Sequence, residues 1–372
     1  MKRLFVLIGC SLLIASCEEE KIVEVEREYS WKADDNFIYD NVVQMNSFAT
    51  DDMLFFRGHT SFTSMVADSL EHPDYPDIGR VVHFPHWYTQ STDEKLPICA
   101  DFFVSAVSNG FLAFIPNRDP TSQSASVSFN MKTLDENFGI FESSHFSGGE
   151  KIVINDQSQV LVPYKNWSPD GPYISGGPKL ALINIKYDST NTSFYHKLDT
   201  VGIQLLSIDD QFQNSTIALE SIGSNFFVTT DTKVYRIDGD GRMVTVLDER
   251  LYKIFEDSGR LIGFGANNIF SSSDNGLTWI KGGETPWLIA SVNFAKIDGK
   301  IIGYRYAQLW EVSTTETSFN FKELDNDGLD GKMITSVSEF DDKVFITSLS
   351  GVYRRPSDEF FTYKEPEDDN SE

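Results

Sequence analysis

The sequence predicts an all-β fold, a β-propeller of about seven four-stranded blades, with six or eight also compatible with its length. Three observations lead there. Short apolar runs of β type alternate with turn residues along the chain, and aromatic residues make up 13% of it. Amphipathic helical runs are scarce. A strand-rich unit of about 40 residues also repeats through the second half. A four-stranded sheet of that length cannot bury both faces alone, so the units must stack around an axis.

The N-terminus comes first. Lys2 and Arg3 precede an apolar stretch from Leu4 to Ile14, and the small residues Ala15 and Ser16 lead to Cys17. The stretch is too short to span a bilayer and has the layout of a secretory signal peptide over residues 1–16. Its end, Ile14-Ala15-Ser16-Cys17, resembles the lipobox of bacterial lipoproteins. That resemblance implies cleavage before Cys17, acylation of the cysteine and tethering of a soluble body to a membrane. At about 0.8 kcal/mol per buried methylene, two or more acyl chains anchor stably where one does not. Glu18, Glu19 and Glu20 resemble the export tract of lipoproteins carried to the outer face of an outer membrane. A solvated spacer facing the periplasm is the other reading. Residues 17–36 are expected to form this acidic tether.

Cleavage removes Lys2 and Arg3. Lys+Arg then falls from 31 to 29 against 56 Asp+Glu, a net charge of −27. A nucleic-acid partner needs a basic footprint, which is missing, and anionic headgroups are repelled. Of the three cysteines, Cys10 leaves with the signal peptide and Cys17 takes lipid. Cys99, in "KLPICADFF", cannot form an internal disulfide alone and reads as a small buried hydrophobe. The 356 residues of the mature chain suffice for a core without disulfides.

The single propeller domain is expected over 37–364, and its first half is the less regular. "TDDMLFFRGHTSFTSMV" holds Met53 and Phe62 nine residues apart. "DFFVSAVSNGFLAFIPN" gives two strands around Asn109-Gly110, and "EKIVINDQSQVLVPY" a hairpin. Two insertions stand out. One carries His86, Trp87 and Tyr88. The other, "VPYKNWSPDGPYISGGPK", splits a hairpin and carries Tyr164, Trp167 and Tyr173. Long loops on a rigid scaffold are where binding function concentrates, and aromatic rings among polar groups suit sugar faces or protein hot spots. These six residues are the candidate ligand-binding set. Packing of the rings within their own loops is the competing reading.

In the second half, "GSNFFVTTDTKVYRI", "SGRLIGFGANNIFSS", "DGKIIGYRYAQLWEV" and "DDKVFITSLSGVYRR" align. Each has a turn, an apolar strand, a polar tip and a second strand bearing an aromatic residue. Phe226 and Tyr235, Leu261 and Phe270, Ile301 and Trp310, and Val344 and Tyr353 are all nine apart. The aromatic recurs after 35, 40 and 43 residues. The unit reads as the second and third strands of a blade. The tail "EPEDDNSE" over 365–372 is too acidic and too poor in apolar residues to fold.

Between the third and fourth strands of one blade lies "SSSDNGLTW", with Ser272, Asp274, Gly276, Thr278 and Trp279 at the spacing S-x-D-x-G-x-T-W. Asp274 can accept bonds from turn backbone, Gly276 supplies a backbone conformation costly for other residues, and Trp279 pins the hairpin beside Phe270. The stretch resembles the Asp box, or BNR repeat, of sialidase-like β-propellers. That resemblance implies a position on the outer rim, away from substrate sites near the axis, and so a fold rather than a reaction. A sialidase would further need an arginine triad, a Tyr–Glu pair, an Asp acid and an early Arg-Ile-Pro stretch. Arg57 in "FFRGH" is the nearest early arginine, and its neighbours do not match.

No catalytic residue, metal site or cofactor is singled out. His83 and His86 lack a neighbouring ligand, and "DGDG" (238–241) and "DNDGLDG" (325–331) read as turns because neither completes a calcium loop. The leading expectation is therefore a lipid-anchored envelope propeller that binds a glycan or protein without catalysis. A glycoside hydrolase or lyase with an unrecognised carboxylate pair, or a structural subunit of an outer-membrane complex, stays open.

Overall fold

A computed structural model gives the structure of the chain. It describes residues 28–34, 44–50, 53–58, 62–66, 80–82, 99, 101–107, 110–116, 127–142, 152–168, 171–188, 197–208, 218–286, 291–315 and 318–364.

The strands form seven sheets. The chain begins with β1 (Lys32–Ala33), which belongs to the last of them. Blade 1 is β2 (Gln44–Ala49), β3 (Met53–Gly58), β4 (Phe62–Val66) and β5 (Arg80–Val82). Blade 2 shows three strands among the described residues, β6 (Phe102–Val107), β7 (Phe111–Pro116) and β8 (Val127–Asn130). After it, β9 (Phe138–Phe141) leads into blade 3, made of β10 (Val153–Ile154), β11 (Gln159–Ser168), β12 (Gly171–Asp188) and β13 (Lys197–Ser207). Blade 4 is β14 (Ala218–Ile222), β15 (Asn225–Thr229), β16 (Val234–Ile237) and β17 (Met243–Leu247). Blade 5 is β18 (Leu251–Asp257), β19 (Arg260–Gly265), β20 (Asn268–Ser272) and β21 (Ile280–Glu284). Blade 6 is β22 (Asn293–Ile297), β23 (Lys300–Arg305), β24 (Gln308–Thr314) and β25 (Phe319–Glu323). Blade 7 is β26 (Ile334–Phe340), β27 (Lys343–Ser348) and β28 (Gly351–Pro356), completed by β1, and a short helix α1 (Ser357–Phe360) follows. First strands of neighbouring blades meet at the axis, as β2 does with β26 and β14 with β18.

Seven apolar seams join the seven sheets into a ring. Phe55 meets Phe103 and Ile115 between blades 1 and 2. Phe114 meets Val162 and Tyr164 between 2 and 3, and Leu161 meets Phe226 and Val228 between 3 and 4. Phe227 meets Leu261 and Phe270 between 4 and 5, and Phe264 meets Phe294 and Phe319 between 5 and 6. Tyr304 and Leu309 meet Val344 and Ile346 between 6 and 7. Phe345 and Phe340 meet Leu54 and Phe56 between 7 and 1, which closes the circle. Strand alternation explains the pattern: Leu54 and Phe56 point to one neighbour, Phe55 to the other. A second strand is thus buried on both faces and reads as an unbroken apolar run.

The nine-residue spacing has a common cause in four blades. In each, residue i pairs with i+11 and residue i+2 with i+9, as in Phe226↔Ile237 with Val228↔Tyr235, and Val344↔Arg355 with Ile346↔Tyr353. Leu261↔Ser272 with Gly263↔Phe270, and Ile301↔Val312 with Gly303↔Trp310, complete the set. Blade 1 departs from it. Met53 pairs with Val66, so its hairpin is two residues longer and its Met53–Phe62 spacing is a coincidence.

Two boundaries are corrected. The propeller, expected to begin at residue 37, already includes residues 28–34, which belong to blade 7. Lys32 pairs with Arg354 and Ala33 with Tyr353. The Trp31 side chain is 2% exposed, and its indole N–H donates to the Asp325 carbonyl (3.1 Å). The expected insertion at 162–179 is not a loop. It is the continuation of β11 and β12 into one long ribbon, with Trp167 opposite Ile174 and Ser168 opposite Gly171. Beyond Lys179, β12 has β11 as its only strand partner among the described residues. Such an edge tolerates Pro172 and Pro178. Among the described residues no helix is long and apolar enough to cross a membrane.

Candidate functional site

Strand direction gives the ring two ends. Turns from first to second strand and from third to fourth share one end. Turns from second to third strand and the connections between blades share the other, called here the loop end.

The S-x-D-x-G-x-T-W turn lies at the first end, between β20 and β21. Ser272 Oγ donates to Asp274 Oδ1 (2.8 Å) and accepts the Gly276 N–H (2.9 Å). Asp274 Oδ1 also accepts the N–H groups of Leu277 (3.1 Å) and Thr278 (2.9 Å), and its Oδ2 accepts the Thr278 hydroxyl (2.7 Å). These bonds, that of the Thr278 N–H foremost, hold the Asp274 carboxyl down at about 2. Asn275 (φ 56°) and Gly276 (φ 78°) make the left-handed bend. The Trp279 indole N–H donates to the Gly276 carbonyl (3.2 Å). Its ring meets Phe227 of blade 4 edge to face at 6.4 Å, and Arg236 Nε of blade 4 donates to the Asn275 carbonyl (3.1 Å). The turn therefore clamps blade 5 to blade 4 as well as closing its own hairpin, and its polar groups are engaged inside it.

In each calcium-like stretch the leading carboxylate is also engaged within the fold. Asp238 Oδ1 accepts the N–H groups of Asp240 and Arg242. Asp325 Oδ2 takes the Ser30 hydroxyl (2.7 Å) and Arg355 Nη1 (3.0 Å). Burial opposes the charge on Asp325, but these donors and the Asp327 N–H keep its carboxyl below the usual range. Among the described residues no three His, Cys, Asp or Glu gather where they could hold a metal ion.

Of the candidate binding residues, His86, Trp87 and Tyr88 lie outside the described residues, as does Cys17. Cys99 is partly buried against the seam between blades 2 and 3, and burial pushes its thiol up. Tyr164, Trp167 and Tyr173 share the blade 3 ribbon, on strands that rise toward the loop end.

Tyr164 is not an exposed ring. It is fully buried, packs on Phe138 at 5.6 Å and donates its hydroxyl to Asp135 Oδ2 (3.0 Å). Burial and this carboxylate push its phenol up. Burial works against the charge on Asp135, yet the Asn137 N–H, Tyr164, Asn166 and Lys179 (3.7 Å) keep its carboxyl below the usual range. The physical reason is strand alternation: as part of β11, Tyr164 faces the seam with blade 2. Trp167 stays 36% exposed beyond an irregularity in the register, near the exposed Ile140 of β9.

A second loop-end surface carries no mark in the repeat alignment. Tyr306 (59% exposed) sits in the turn between β23 and β24, Met333 (49%) precedes β26, and Leu349 (48%) lies in the turn between β27 and β28. The Ile334 N–H donates to the Tyr306 carbonyl (2.8 Å) and the Leu349 N–H to the Met333 carbonyl (3.3 Å), which ties the three segments together. Arg305 lies 4.8 Å from the centroid of the Tyr306 ring. The available signal was an apolar or aromatic residue, Tyr306 and Leu349, in two of the aligned tips.

No family model matches the sequence, and no curated protein matches it. Among solved structures the chain is similar to the WD40 domain of Neurospora crassa Pan2, at 8% identity over 91% of this chain and 99% of that one, TM-score 0.48. It is similar to BamB from Moraxella catarrhalis, at 10% identity over 82% and 78%, TM-score 0.42. It is also similar to PorZ, a surface component of the type-IX secretion system of Porphyromonas gingivalis, at 7% identity over 91% and 40%, TM-score 0.47. By its own seven sheets and the seven seams between them, the chain is a seven-bladed β-propeller.

Proposed function

We propose that the protein is a non-catalytic binding propeller of the bacterial cell envelope, held to the outer membrane through lipid on Cys17 and engaging a protein partner at its loop end. The observation that carries this reading is the distribution of exposed large apolar side chains. Of the eleven such residues among the described ones, Phe111, Ile140, Trp167, Tyr306, Met333 and Leu349 lie toward the loop end, whereas Leu277 and Ile280 lie at the opposite end and Tyr29, Val201 and Leu205 lie on or beside outermost strands. They form two groups, one on blades 2 and 3 and one on blades 6 and 7, and exposed apolar groups of this kind are what a partner covers on binding. The S-x-D-x-G-x-T-W turn, at the opposite end, serves as an Asp box in the structural sense. A glycan is the second reading, and exposed Trp167 is the observation that favours it.

The test is a screen of the intact chain against a glycan panel and a random-peptide display library, with binding and turnover read together. Binding without release of sugar is the expected result. Turnover of any glycan would end the non-catalytic reading. For the anchor, Cys17→Ala is expected to abolish fatty-acid labelling and release the protein from membranes. Labelling that persists in the variant would rule out the lipid on Cys17.

A further inference from the structure

Resting on that reading, we infer that the Tyr306–Met333–Leu349 surface docks an acidic segment of a partner protein that carries an apolar anchor side chain. Three independent observations bear on it.

The first is strain. Tyr306 holds a left-handed backbone (φ 52°). That conformation is costly for any side chain with a Cβ and is normally given to Gly, Asn or Asp. A tyrosine there gains little from the fold, because its ring is mostly in solvent. Strain of this kind, held by the surrounding structure, is a pointer to use of the side chain.

The second is geometry. The three side chains come from two turns and one blade connection, bound to one another by the backbone hydrogen bonds at Ile334 and Leu349. The platform is thus built before a partner arrives, which lowers the ordering cost of docking.

The third is charge. On or beside blades 6 and 7, Lys296, Lys300, Lys343, Arg354, Arg355 and Lys364 each have a carboxylate within 4 Å. Lys322, over the Tyr363 ring, and Arg305 and Lys332, which flank the apolar patch, have no ion pair among the described residues. Arg305 rests on the Tyr306 ring with its Nε buried and without an acceptor, and Lys332 lies over the Tyr353 ring at 5.5 Å. In a chain with 31 basic against 56 acidic residues, two cations beside the exposed Tyr306, Met333 and Leu349 side chains complement an acidic, apolar segment. An extended anionic lipid surface would also face the acidic remainder of the chain, whereas a short acidic segment meets the two cations within a screening length.

The test takes the peptides recovered from the display library on the intact chain. They are expected to combine Asp or Glu with Leu, Phe, Trp or Met. Their affinity should fall by about tenfold or more in Leu349→Asp and in the double variant Arg305→Gln/Lys332→Gln. Leu277→Ser, at the other end, should leave it unchanged. Matching melting temperatures will show that the variants fold. Peptides without acidic enrichment, or binding that survives Leu349→Asp and Tyr306→Ser, would overturn the inference. So would a dimer that these substitutions dissolve, since a second copy would then be the occupant. Glycan binding with no peptide binding would overturn this inference while leaving the non-catalytic reading intact; glycan turnover would remove that reading itself.

Discussion

Asp274 accepts hydrogen bonds from Ser272, Leu277 and Thr278, and each is made to the charged carboxylate. Its folded value, about 2, lies below the ordinary 3.8. The stability it contributes is therefore complete above pH 4 and is lost as pH falls toward 2. Asp274→Asn should lower the melting temperature at pH 6, and the gap between variant and native protein should close by pH 2. A gap that stays constant would show that the charge does not matter. Gly276→Ala meets two obstacles at once, a φ of 78° and a Cβ placed 2.4 Å from the Phe227 ring. We expect a loss of about 2 kcal/mol or more, read from urea denaturation midpoints. The residue types of this turn were legible in the sequence, since carboxylate, glycine and hydroxyls each have a turn chemistry. Tyr164 was not. Asn, Pro and Gly around it suggest a loop, and only the pairing of β11 with β9 and β12 reveals that the ring faces a seam.

At the level of strands and hairpins, the repeat was legible where register is shared. Blades 4 to 7 pair i with i+11, so equal spacing in sequence follows from equal hairpin length. Blade 1 shows the limit of such evidence, because its longer hairpin reproduces the spacing with other partners. What alignment does not show is which blade a side chain serves. Trp279 closes its own hairpin and also meets Phe227 of blade 4. A double-mutant cycle with Phe227→Leu and Trp279→Leu should give a coupling of about 0.5–1.5 kcal/mol. Additive losses would mean that Trp279 acts within blade 5 alone.

For the whole molecule, the seven seams make stability depend on closing the ring. The last sheet takes its outermost strand from the N-terminal end of the propeller, and Trp31, Asp325 and Arg355 lock it in place. A two-residue strand with both side chains exposed carries no alternation to read, which is why the boundary was misplaced. Removal of residues 1–27 should leave the melting temperature of the domain unchanged, whereas removal of 1–34 should lower it sharply. Trp31→Ala alone should cost about 3–5 kcal/mol. The closed ring leaves a clamped end and a loop end, and binding at the loop end is the central claim. Its most direct test is the affinity, by surface plasmon resonance, of the tightest-binding member of the screen for two variants. One is Tyr306→Ser/Leu349→Asp at the loop end; the other is Leu277→Ser/Ile280→Ser beside the Asp274 turn. We predict that the first loses about tenfold or more and that the second binds as the native chain does. Loss in the second with full affinity in the first would place the binding surface at the wrong end and contradict the account.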